Sequence, residues 1–142
     1  MATTEEVQSW LQVMALNDSY YGATIADKLK VVKARPGAVV FELLVDGPML
    51  NFAGSIHGGL LATLVDECTT FAIMSAGHKP GLSVDITVQY LSTAKEGETI
   101  SVAATLDKAG HNMAFARCVV GLKGSDKIIA TGSHTKFLNV KL

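Results

Sequence analysis

Two features of the segment Asn51-Phe52-Ala53-Gly54-Ser55-Ile56-His57-Gly58-Gly59-Leu60-Leu61-Ala62-Thr63-Leu64-Val65-Asp66 suggest chemistry. The first is the glycine pair Gly58-Gly59, which opens a run that is otherwise apolar and helical in period. Inside a helix each glycine costs about 1 kcal/mol against alanine. At a helix N-terminus the penalty is smaller. There the bare backbone N–H groups lie at the positive end of the helix dipole and can approach developing negative charge. The oxyanion formed when water or a carboxylate attacks a thioester carbonyl is such a charge. The plain alternative is a glycine turn that lets the loop pass close to a sheet.

The second is Asp66, set among Leu64, Val65 and Cys68, where a carboxylate is expected to be paired or functional. It can serve as a general base, or as a nucleophile towards a reactive thioester. A structural hydrogen bond to a nearby threonine or backbone group is the alternative. Its neighbour Glu67 is expected to be solvated. Gly58 and Asp66 are eight residues apart, so on one helix they are separated by about 12 Å. If both act on one thioester, they come from different subunits, with antiparallel central helices at a two-fold interface that presents each pair twice. Asn51 can hold a water or the carbonyl, or simply shape a turn. Ser83, beside Asp85, is a hydrogen-bonding residue, and His57 suits a capping or orienting role as well as a direct one. No Gly-x-Ser-x-Gly elbow occurs, Ser55 and Ser75 lack a Ser/His/Asp context, and no metal-ligand spacing is present.

The elements that must position these residues follow from periodicity. Residues Glu5 to Leu16 repeat apolar side chains at helical spacing, with Thr4 as N-cap, until Asn17-Asp18-Ser19 breaks the pattern. Thr24 to Ala34 and Ala38 to Val45 read as strands joined by Arg35-Pro36-Gly37, the second burying Val39, Phe41, Leu43 and Val45 on one face. A long apolar helix is expected from Gly58 to Ser75. Leu82, Val84, Ile86, Val88 and Tyr90 then alternate with polar residues. Strands through Ile100 to Leu106, Asn112 to Leu122 and Ile128 to Leu138 follow, with turns at Lys108–His111 and Gly124–Asp126. The last four strands read as a meander. One buried helix rolled in a curved antiparallel sheet, with an extra N-terminal helix, is an α+β hotdog arrangement, and a generic α+β sandwich is the alternative.

A chain of 142 residues fits one domain, 1–142. The 49% hydrophobic content and mean hydropathy of +0.32 suit extra apolar burial between subunits. Twelve basic and 13 acidic residues, a net charge of −1, give no electrostatic case for nucleic acid or an anionic membrane. Cys68 and Cys118 read as reduced, buried thiols. Asp66 and Glu67 interrupt the longest apolar stretch, arguing against a membrane span, and the acidic N-terminus resembles neither a secretory signal nor a mitochondrial transit peptide.

The segment 57–66, with Ser83-Val84-Asp85, Tyr90-x-Ser92-x-Ala94-Lys95 and His134-Thr135-Lys136, resembles the hotdog-fold thioesterase superfamily, phenylacetic-acid-pathway type. Within that type it is most similar to the eukaryotic acyl-coenzyme A thioesterase 13 group. The ordered match runs from about residue 24 to 138. The resemblance implies hydrolysis of medium- to long-chain fatty acyl-CoA to fatty acid and CoA, without a cofactor. It implies Asp66 as the catalytic carboxylate, the Gly58 N–H as carbonyl donor, Asn51 and Ser83 as assisting residues, and His57 beside the donor. CoA contacts are implied at Tyr90, Leu91, Ser92, Thr93, Ala94 and Lys95, and at Lys108, Ala109, Gly110, His111, Asn112 and Met113, with Asp85 nearby. Phe137 departs from the polar residue expected near the nucleotide. The resemblance further implies a homotetramer built from two dimers, in a cytoplasmic or mitochondrion-associated location. A hotdog dehydratase or hydratase using a His/carboxylate pair, and a non-catalytic acyl-CoA-binding protein, are the competing functions.

Overall fold

The computed structural model describes residues 2–17 and 19–141. Its first helix, α1 (Thr4–Ala15), is capped by Thr3, whose hydroxyl accepts from the Glu6 N–H while Glu6 accepts from the Thr3 N–H at 2.7 Å. This capping box displaces the expected Thr4 cap. Thr4 Oγ1 instead accepts from the Ala34 N–H at 3.0 Å. Of the predicted helix-breaking triplet, Asp18 lies outside the described residues.

The run 24–34 is not one strand. A short helix α2 (Ala23–Ala26) precedes β1 (Lys30–Arg35), because Ile25, Ala26 and Leu29 bury one side of a helical turn before alternation begins. The strand β2 (Ala38–Leu44) buries Val39, Phe41 and Leu43 as expected, and Val45 just beyond it is also buried. A long helix α3 (Gly58–Ser75) follows, then β3 (Leu82–Tyr90), β4 (Thr99–Ala109), β5 (Met113–Leu122) and β6 (Ile128–Phe137). β4 extends through Ala109, so the turn is Gly110–Asn112 rather than 108–111.

All strand pairs are antiparallel, in the order β1-β2-β4-β5-β6-β3. The expected four-stranded meander is therefore only β4-β5-β6. β3 lies beyond β6, from Leu82 opposite Phe137 to Tyr90 opposite Ala130. With β3 there, α3 packs on β2, β3, β4, β5 and β6, and the sheet wraps it from both sides. The approach is close at Gly132, where an added Cβ would meet Val65 Cγ1 at 2.5 Å. Leu61, Leu64, Val65, Cys68, Phe71 and Ala72 of α3 are buried. The hotdog arrangement holds.

The apolar alternation of β3 does not belong to this core. Leu82, Val84 and Tyr90 are each more than half exposed, and only Ile86 and Val88 pack against it. β3 is an edge strand with an apolar surface and an unpaired side.

Candidate active site

At the head of α3, His57 is in extended backbone and its Nδ1 accepts from the Gly59 N–H at 2.8 Å. This consumes one of the two glycine amides. Among the described residues the other, the Gly58 N–H, has no acceptor, while the Gly58 carbonyl accepts from the Tyr90 hydroxyl at 3.0 Å. The preceding loop is held by Asn51, whose Oδ1 accepts from the Ala53 and Ser55 N–H groups at 3.0 and 3.1 Å. Asn51 is thus a turn residue whose side-chain amide N–H groups stay uncommitted among the described residues. The stretch Tyr90–Lys95 lies against this loop. The Ile56 N–H donates to the Ala94 carbonyl, Ser55 bridges Lys95, and Leu91 and Ser92 both donate to the Ile129 carbonyl. Ala94 is buried; Leu91, Thr93 and Lys95 face solvent.

Asp66 sits midway along α3 with its side chain 42% exposed, and its Oδ1 is 3.9 Å from Nε2 of His134. His134 is fully buried between two hydroxyls, with Thr69 Oγ1 2.6 Å from Nδ1 and Ser83 Oγ 2.7 Å from Nε2. Thr69 has one proton, and the Val65 carbonyl 2.7 Å away takes it. Nδ1 therefore carries hydrogen and donates to Thr69, which leaves Nε2 to accept from the Ser83 hydroxyl. Burial, reinforced by the charge of Lys136, lowers the imidazole to about 4 against the pull of Asp66 and Asp85, so it is neutral at pH 7. Lys136 is also buried. Its ammonium donates to Thr70 Oγ1 at 2.8 Å, and Thr70 donates to the Asp66 carbonyl. Burial lowers its pKa, opposed by Asp66 and Glu67.

Glu67 is not solvated as expected. The chain crosses it at Gly22, where a Cβ would lie 2.7 Å from Oε1, and burial together with Asp66 raises its pKa. The motif His134-Thr135-Lys136 alone assigns no role to His134 or Lys136. The signal that marks them is parity: both lie on the inward face of β6, in step with the buried Leu138 just beyond the strand.

The structure brings Asp66, Ser83, Asp85 and His134 together at one place and His57, Gly58, Asn51 and Tyr90–Lys95 at another. The two groups are separated along α3 by the eight residues from Gly58 to Asp66, about 12 Å. The remaining group, 108–113, is farther still. The turn Gly110-His111 flanks Gly77, His78 and Lys79 beyond the C-terminal end of α3, and the Leu138 N–H donates to the Asn112 carbonyl at 2.6 Å. Residues 90–95 and 108–113 thus occupy opposite ends of an 18-residue helix. Both cysteines are buried and free, and burial raises the pKa of each, that of Cys118 to about 12. No described helix is long and apolar enough to cross a membrane.

The thioesterase superfamily family model matches residues 53–129, from the loop before α3 into β6. Human acyl-coenzyme A thioesterase 13 is 41% identical over 115 residues, covering 80% of this chain and 82% of that protein. The crystal structure of zebrafish thioesterase superfamily member 2 superposes with a TM-score of 0.92 at 38% identity, covering 98% of this chain and 100% of that one. The E. coli PaaI protein of the phenylacetic acid degradation operon shares the fold, with a TM-score of 0.80 at 20% identity and coverage of 98% and 97%. The ordered motifs, the helix-in-sheet architecture and these matches agree: the chain belongs to the thioesterase superfamily.

Proposed function

We propose that the chain is one catalytic domain that hydrolyses medium- to long-chain fatty acyl-CoA, in a site shared by two copies. The observation that carries this reading is the placement of an uncommitted Gly58 amide and a half-exposed Asp66 on one rigid helix, too far apart to act on the same carbonyl. Antiparallel pairing of two α3 helices brings Asp66 of one copy opposite Gly58 of the other. The same pairing brings 108–113 of one copy towards 90–95 of the other, so that Lys95 and Lys108 can meet the phosphates of one CoA. The unpaired β3 edge and the fully exposed Phe52 support such a pairing.

In this site the thioester carbonyl accepts from the Gly58 N–H, at the positive end of α3. Asp66 takes a proton from a water oriented with Ser83, whose own hydroxyl donates to His134 Nε2. The water oxygen forms a bond to the carbonyl carbon, and the oxyanion is held by the Gly58 amide. Collapse breaks the C–S bond; the CoA thiolate leaves and takes up a proton, giving CoA and the fatty acid. Direct attack by the Asp66 carboxylate forms a C–O bond to the carbonyl carbon, breaks the C–S bond to expel the CoA thiolate, and leaves a mixed anhydride that water cleaves to the fatty acid and free Asp66. Either route uses only side chains, backbone and water. Thiol release measured across acyl-CoA chain lengths tests the reading, with Asp66→Ala expected to lose about 10²–10⁴ in kcat while the assembly stays intact. An Asp66→Ala protein turning over at the wild-type rate overturns it.

A further inference from the structure

Lys136 is 5% exposed, and its ammonium donates to Thr70 Oγ1 at 2.8 Å. Among the described residues no carboxylate lies within ion-pair distance of it. A charge taken out of water is costly unless it is paired, and an apolar side chain of similar length would fill the space without that cost. Thr70 does not require the lysine either, because its own proton already goes to the Asp66 carbonyl at 2.7 Å. Packing alone does not account for a lysine here.

We propose that Lys136 is a positioning residue whose buried ammonium keeps His134 a hydrogen-bond acceptor and so fixes the direction of the Ser83 hydroxyl, an inference that rests on the thioesterase reading above. Three observations carry it. First, Lys136 stands directly opposite Ser83 in the β3–β6 ladder and shares the inward face of β6 with His134, so the three occupy one patch of sheet. Second, Lys136 and His134 are pinned to consecutive residues of α3, the lysine to Thr70 and the imidazole Nδ1 to Thr69. Third, His134 faces Asp66 of α3 and Asp85 of β3, both of which favour a proton on the ring, and Lys136 opposes them. β5 places only Ala116 and Ala114 opposite His134 and Lys136. Asp66 and Glu67 in turn favour the ammonium form of the lysine. A proton on Nε2 would make that nitrogen a donor. The Ser83 oxygen would then have to receive it, and the lone pair that orients the attacking water would be occupied.

The test is kcat and KM for octanoyl-CoA at pH 5 and pH 7.5 in wild type, Lys136→Met and Lys136→Gln, followed by loss of thioester absorbance. Glutamine keeps a donor for Thr70 without the charge, so it separates the hydrogen bond from the field and serves if the methionine variant does not fold. Removing the cation lets the ring take its proton at higher pH, so the acid limb of kcat moves up. Both variants should lose about tenfold in kcat at pH 5, stay within about twofold of wild type at pH 7.5, and keep KM within about twofold throughout. Circular dichroism at pH 5 checks that they remain folded. An equal fall at both pH values, an unchanged profile, or unfolding of both variants at pH 5 gives Lys136 a structural role or none and overturns the proposal. A rise in KM with kcat unchanged makes it a substrate contact and does the same. Wild type that consumes no acyl-CoA at either pH instead overturns the underlying thioesterase reading, so the two failures are distinguishable.

Discussion

His134 is surrounded by Asp66 on α3, Asp85 on β3 and Lys136 on its own strand, and it is buried between the hydroxyls of Thr69 and Ser83. A neutral ring there gives the Ser83 hydroxyl a fixed acceptor and leaves the lone pairs of its oxygen for the water that the proposed mechanism requires. Lys136 opposes protonation of this ring. Lys136→Met is therefore expected to raise the His134 pKa from about 4, an effect read by carbon-13 NMR titration of the imidazole. In the wild type the folded value lies below the unfolded value of 6.5, so the unfolded chain binds more protons between the two. The contribution of His134 to stability is complete above about pH 6.5 and is lost as pH falls towards 4, which urea denaturation at stepped pH checks. Asp66 was legible in the sequence because a carboxylate breaks an apolar helix. His134 was not, because a histidine in a polar-looking strand acquires meaning only when the register puts it under α3.

At the scale of elements, α3 is fixed by its own sequence at one end and by the sheet along its length. His57 in extended backbone followed by two glycines defines its start, and the observed bounds, Gly58–Ser75, match the periodicity. Its depth in the sheet depends on Gly132. Gly132→Ala would drive a methyl group into Val65, so α3 and β6 must separate. A loss of about 1–3 kcal/mol is expected, measured by denaturant unfolding at fixed protein concentration. Separation there also moves Asp66 from His134, so activity on every acyl chain should fall together. The elements misread from sequence share one cause. Residues 24–29 carry apolar side chains that suit a strand or a helical turn, and β3 carries the alternation of a core strand while packing mostly outside this chain's core. In both, tertiary neighbours decide what the local pattern leaves open.

For the whole molecule, the proposed function requires that neither end of α3 carry the complete chemistry, and the exposed apolar face of β3 offers a surface on which two copies can meet. Gly58→Pro tests the arrangement. His57 already has φ −66° and ψ 132°, which a following proline accepts, and proline is tolerated at the first helical position. The substitution removes the N–H and spares the helix; the Tyr90 ring, 3.3 Å from the new Cβ, can yield as a side chain. Gly58→Pro and Asp66→Ala should each be nearly inactive alone. Unfolded together and refolded in equal amounts, half of the dimers are mixed. In a mixed dimer one site has both defects, and the other pairs an intact Asp66 with an intact Gly58. About a quarter of wild-type thiol release should therefore return on mixing, because half of the dimers regain one of two sites. If each protomer used its own Gly58 and Asp66, every site in the mixture would contain one defect and no activity would return. Complementation therefore reads directly whether the carboxylate and the amide donor reach the thioester from different chains.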